Sequence, residues 1–226
     1  MAKKKITRKQ LLKEPDEFLT LSDRAARFMT AHSRHLQYLG MAIAAIAIVY
    51  LAAYTYLGYI NRKGQNAYNE AYYALSESMK PDLDTETLRN AGELFEKVMK
   101  DYSLSKAARL AQPQVAYVKF LDRQYDEAIG LYKAFSHKVS GDPKYESLTH
   151  LALAACYEAK GDLKAGIEAL NPIVTRPKDP FRGLAMLSLA RLYRLNSEPQ
   201  KAKEILGEFV ETYKDSPFLS FAKAHL

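Results

Sequence analysis

Residues 38–60, YLGMAIAAIAIVYLAAYTYLGYI, run for 23 positions without a charged side chain. As an α-helix this run reaches about 34 Å, enough to cross a hydrocarbon core of about 30 Å. A removable secretory signal has a shorter apolar stretch, about 7–15 residues, closed by a small-residue cleavage site. Here 37 residues come before the run and no A-x-A site closes it. A buried core helix rarely goes so far without a charge. The run is expected to be a membrane anchor that is not cut off, with Tyr38 at one interface and Tyr56 and Tyr59 at the other.

Charge sets the expected direction. Residues 1–35 carry nine Lys and Arg against four acids, whereas only Arg62 and Lys63 lie close beyond the run. Basic flanks stay in the cytoplasm during insertion, so the N-terminus is expected inside and residues 61–226 exported. From residue 36 onward there are 24 bases and 22 acids. The surplus charge therefore belongs to the tail. It argues for anionic lipid as a contact of the tail and against nucleic acid as a partner, which needs a basic stripe on the folded domain. The lone Cys156 permits no internal disulfide.

Tyr50 falls near the middle of the apolar run, where its hydroxyl needs an acceptor. Ile43, Ala47, Tyr50 and Tyr54 share one helical stripe, and Gly40 and Ala44 give a small-x-x-x-small pair. Two readings stand: a tyrosine bonded to its own helix, or a stripe packed on another membrane helix. In the tail, MAKKKITRKQLLKEPDEF is expected to be mobile or held by a partner. Thr20-Leu21-Ser22-Asp23 offers a capping box. Leu21, Ala25, Phe28 and Met29 then fall on one face, as in an amphipathic helix on the inner leaflet or an ordinary juxtamembrane helix.

Past the anchor, Tyr68, Ala71, Tyr72, Leu75 and Met79 keep helical spacing. The helix is expected to run on to about Met79, with Gly64 its weakest point and Pro81 its end. Four stretches then line up: NAGELFEKV (90–98), DEAIGLYKAF (126–135), KAGIEALNPI (164–173) and KAKEILGEFV (201–210). Each places a small residue four before a large one: Ala91 and Phe95, Ala128 and Tyr132, Gly166 and Leu170, Ala202 and Leu206. The small residues are 37, 38 and 36 positions apart. First helices are expected at VAYVKFLDRQ (115–124), LALAACYEAKGD (151–162) and LSLARLYRLNSE (187–198), with Pro113 interrupting the first of these.

This pattern resembles the tetratricopeptide repeat family, most closely at YEAKGDLKAGIEAL (157–170), over residues 66–226. The repeats are longer than the family's usual 34, the first-helix tryptophan is missing, and residues 81–85 lengthen the first turn. The implied fold is all-α: a basic tail (1–37), one transmembrane helix (38–60) and a helical-hairpin solenoid (61–226). The whole layout also looks like the YfgM-like group of bacterial inner-membrane proteins, which implies association with the secretion translocon and periplasmic chaperones. DSPFLSFAKAHL (215–226) is similar to the last helix of outer-membrane-assembly repeat proteins. Asp215 or Ser216 would cap it, and Phe218, Leu219, Ala222 and Leu226 would point inward.

Stacked repeats form an extended wall that binds peptides or proteins. The resemblance puts Tyr117, Phe120, Glu158, Arg191 and Arg194 on that wall. Arg191 and Arg194 lie three apart, so both can face one acidic peptide or terminal carboxylate; ordinary pairing with acids such as Glu198 is the alternative. No metal-binding spacing joins His32, His35, His137, His150 and His225, and no phosphate loop or nucleophile elbow occurs. Cys156 fits a small buried position. The expectation is a protein without catalytic, metal or cofactor sites. It would act as a chaperone-like interaction scaffold in the periplasm or, alternatively, as an accessory subunit of one stable inner-membrane complex. The expected partners are other membrane or periplasmic proteins, with self-association open.

Overall fold

The computed structural model describes residues 17–79 and 85–226. The expectations for residues 1–16 and for the turn at 81–84 lie outside the described residues. All regular structure among the described residues is helical. The chain divides into two compact units, one up to Tyr56 and one from Leu57 onward.

The first unit holds α1 (Glu17–Ala31) and the start of α2 (Ser33–Ser78). Because α1 already begins at Glu17, residues 20–23 lie within it and do not cap it, which corrects the capping-box expectation. Leu21, Phe28 and Met29 are exposed on α1, and Arg27 pairs with Asp23 at 3.6 Å. The Phe28 ring stacks on His32 at 4.5 Å, where α1 gives way to α2. α2 is the one helix among the described residues that is long and apolar enough to cross a membrane, with a mean hydropathy of 2.0 over its most apolar window and none of that window buried.

The second unit is a succession of helices, each packed on the next: the last part of α2, then α3 (Thr85–Asp101), α4 (Lys106–Leu121), α5 (Tyr125–Lys138), α6 (Pro143–Lys160), α7 (Leu163–Val174), α8 (Arg182–Leu195), α9 (Pro199–Thr212) and the short α10 (Leu219–Ala224). The four aligned stretches fall in α3, α5, α7 and α9, and all eight small and large positions are buried. Their burial explains the spacing. A small residue lets the first helix approach, and the large one a turn later fills the space beside it. Gly166 shows the closeness: a Cβ there would sit 3.1 Å from Leu192 Cδ1 and 3.4 Å from the Ala154 carbonyl.

Gly64 is not a break in α2. A Cβ there would lie 2.6 Å from Ser105 Oγ and 3.1 Å from Tyr102 Cβ, so the bare glycine lets the α3–α4 turn lie against the helix. Asn61 Oδ1 fixes that turn by accepting from the Lys106 backbone N–H at 2.8 Å, and Ser105 Oγ caps α4 by accepting from Ala108 N–H. Pro113 does not interrupt its helix either. α4 continues through it. The ring removes one backbone bond, but Ala111, Val115, Ala116 and Val118 are buried on both sides and hold the helix in place.

Three hairpin turns repeat one backbone geometry. Arg123, Gly161 and Ser197 all take positive φ, at 61°, 88° and 62°. The next residue's N–H then bonds back to the carbonyls of Lys119, Tyr157 and Tyr193 respectively, the six-to-one bond of a Schellman ending. Only one of the three is glycine, so composition hides two of these turns.

The final helix departs from expectation. Ala222 is buried, but Phe218 and Leu226 are exposed and Leu219 is only half-buried. Ser216 Oγ does accept from Phe218 N–H, at 3.2 Å. With six residues, α10 is too short to present a second apolar turn to α9.

Candidate functional site

The outward residues of the first helices α4, α6 and α8 make up the surface the sequence singled out. On α4, Tyr117 and Phe120 stack with ring centroids 6.4 Å apart and planes 17° from parallel. Both are half-buried. Tyr117 leans on the core that contains Val115 and Val118, and Phe120 on the core of Ile129, Tyr132 and Leu153. Part of each ring therefore holds the fold, and part faces out.

Between α6 and α8, Arg191 Nη1 donates to Glu158 Oε1 at 2.5 Å. Glu158 is mostly covered, whereas the Arg191 side chain is 60% exposed. Arg191 thus has an ordinary acid partner in Glu158, whereas Glu198, the acid named as an example of such a partner, pairs with Lys201 and accepts from Asn196. Arg194 is exposed and makes no ion pair among the described residues. Among the described residues, then, the five wall residues form two separate pairs plus one free guanidinium.

Two hollows border these residues, and sequence reading gave neither. One, of about 690 Å³, lies between α8 and α10. Leu184, Leu187, Leu195, Phe218 and Phe221 supply its apolar surface, and Arg191 and Arg194 stand at its edge. The signal that could have found it is the run of exposed apolar positions on α8 beside an over-short last helix. The other, of about 300 Å³, is lined by Tyr68, Tyr117, Tyr132 and Tyr145 with Gln114 among them. Burial pushes the Tyr132 hydroxyl above its ordinary value, so it remains a neutral donor.

Two buried polar groups elsewhere tie helices and loops together. Asp179 accepts from Ser147 Oγ at 2.5 Å and from the Phe181 backbone at 2.9 Å, tying the α7–α8 loop to α6. Arg182 donates to the Val174 carbonyl at 2.8 Å and pairs with Glu208. Burial pushes the Cys156 thiol up to about 11, so it is protonated at neutral pH. Among the described residues no group of three or more His, Cys, Asp or Glu could hold a metal ion. In the first unit, the Tyr50 and Tyr54 rings stack at 6.3 Å and both are exposed.

A tetratricopeptide repeat-like domain family matches residues 35–177, and a tetratricopeptide repeat family matches residues 184–216. No curated protein matches the chain. The nearly identical TPR-like repeats assigned to a putative kinesin light chain of Podosopora anserina superpose with a TM-score of 0.57 at 21% identity, covering 72% of this chain and 82% of that one. A singly substituted form of those repeats gives the same values. The likeness extends to the fold.

Proposed function

The chain belongs to the tetratricopeptide repeat-like family, and from that premise we propose that it is a membrane-anchored scaffold that binds other proteins on its first helices. One observation carries the reading. The repeat's small and large positions all lie in the core, while Tyr117, Phe120, Arg191 and Arg194 keep aromatic and charged surface facing outward on α4 and α8. Rigid aromatics and arginines are the side chains that bind protein surfaces most strongly for their area. The repeat fold is generally an interaction module.

On this reading α2 spans the membrane, the basic tail stays cytoplasmic beside anionic lipid, and the repeats project to the far side. The resemblance to the YfgM-like group supports a bacterial inner membrane, a periplasmic repeat domain and a chaperone-like role near the translocon. The test is copurification of the full chain from gently solubilised membranes, comparing wild type with Phe120→Ser and Arg194→Ser. Loss of the same proteins from both variants supports the wall; an unchanged set contradicts it.

A second reading, a fixed subunit of one membrane complex, is favoured by the exposed Tyr50–Tyr54 stack. On this reading, replacing both by Leu releases stoichiometric partners. If those partners stay bound, the reading fails.

A further inference from the structure

We propose that the groove between α8 and α10 takes an extended segment of a partner protein in which apolar side chains alternate with carboxylates. The inference rests on the scaffold reading and names the chemistry of one occupant.

The groove wall is apolar. Leu184, Leu195, Phe218 and Phe221 are 49%, 54%, 50% and 54% exposed around one hollow. Four large apolar side chains left in water on adjoining elements are a contiguous patch, and such patches mark places where another surface docks. The groove follows α8 from Leu184 to Leu195, about 16 Å at ~1.5 Å per residue. An extended chain of about five residues covers that length at ~3.3 Å each. Its alternate side chains fall on opposite faces, so one set can enter the groove while the other set meets its edge.

The edge of the groove is basic. No acidic side chain lines the groove. Arg194 has no ion-pair partner among the described residues, and Arg191 commits one guanidinium nitrogen to Glu158 while its side chain remains largely exposed. His225 also borders the hollow, its ring 4.3 Å from Phe221 and its Nδ1 2.8 Å from the Phe221 carbonyl, and Lys223 is exposed on the same short helix. The free charged groups at the edge are donors, two of them planar guanidiniums, while His225 spends its Nδ1–H on the Phe221 carbonyl. Planar forks of this kind bind carboxylates through paired, charge-assisted hydrogen bonds. A purely apolar occupant would leave those donors unused, and a basic one would be repelled.

The test uses the full chain in nanodiscs of zwitterionic lipid, which avoids free detergent in the groove. The probe is a fluorescein-labelled heptapeptide in which four acidic residues alternate with two leucines and one phenylalanine. Saturable binding by fluorescence anisotropy is expected, with Kd raised at least about fivefold by Arg194→Ser and by Phe221→Ser. The same peptide with amides for acids is expected to bind at least about tenfold more weakly. Both substituted side chains are exposed, and an unchanged circular dichroism spectrum shows that each variant is folded. Three results overturn the proposal: no saturable binding, binding that ignores both substitutions, or nanodiscs holding two copies that Phe221→Ser separates. None of these decides the scaffold reading, which rests on the wall as a whole and is tested by copurification, with Tyr117 and Phe120 lying outside this groove.

Discussion

Arg191 of α8 reaches back across one repeat to Glu158 of α6, Nη1 to Oε1 at 2.5 Å. The bond spans 33 residues of sequence and joins consecutive first helices. With the Arg191 side chain 60% exposed, solvent screens the pair, and it contributes at most about 1 kcal/mol to stability.

Arg191→Ala should therefore leave the folded chain almost intact, with thermal stability within about 1 kcal/mol of wild type. Circular dichroism melting of the full chain checks this. A larger loss would mean that Arg191 is a structural residue and that binding defects in its variants report misfolding.

Gly64→Ala should destabilise by about 1–3 kcal/mol. Crowding costs about 1–3 kcal/mol, and displacing Ser105 removes a helix cap worth about 1 kcal/mol. Alanine's better helix propensity returns about 1 kcal/mol. Gly166→Ala is the contrast. Its nearest contact is the end of a leucine at 3.1 Å, so the same helix gain offsets a milder clash, leaving the variant within about 1 kcal/mol of wild type. The difference in melting midpoint between the two variants measures how tightly the α3–α4 turn is set against α2.

Ser197→Gly and Arg123→Gly should each stabilise, by about 0.5 kcal/mol. The left-handed conformation costs a side-chain-bearing residue about 1–2 kcal/mol, and glycine's greater unfolded freedom takes back about half of that. Gly161→Ala should destabilise by a similar margin. A raised midpoint for Gly161→Ala would show that this turn is not held in the left-handed geometry.

The core arithmetic was legible in the sequence because it is periodic. Ala91, Ala128, Gly166 and Ala202 recur at nearly constant spacing, and each turned out buried against a neighbouring helix. Ser197 and Arg123 were illegible because their left-handed turns are imposed by hairpin closure and carry no glycine. Gly64 was misread for the opposite reason: glycine in a helix signals weakness by propensity, whereas here a close approach needs it. The α8–α10 groove depended on where α10 stops, which no local pattern gives. Phe218 and Leu226 have the spacing of an inward face but lack a long enough helix to hold it.

His150 should make stability fall in mild acid. Its ring is half-buried, with Nδ1 buried and unpartnered among the described residues. Burial holds its pKa below the ordinary value, against the opposing effects of the Ala169 backbone bond and Glu146, while Arg176 lowers it further. The unfolded chain therefore takes up the proton first as pH drops below about 6.5, and stability declines until the folded pKa is passed. His150→Gln should flatten the melting midpoint between about pH 7.5 and 5.5. An unchanged slope in the variant would assign the acid sensitivity elsewhere.

The central claim is that the first helices are the binding face, and site-specific photo-crosslinking in intact membranes tests it most directly. A photoreactive residue is placed at Tyr117 or Arg194, and at Glu168, an exposed position on second helix α7, as the control. The account predicts discrete protein adducts from Tyr117 and Arg194 and none from Glu168. Adducts formed equally from Glu168, or absent from both wall positions, would contradict it.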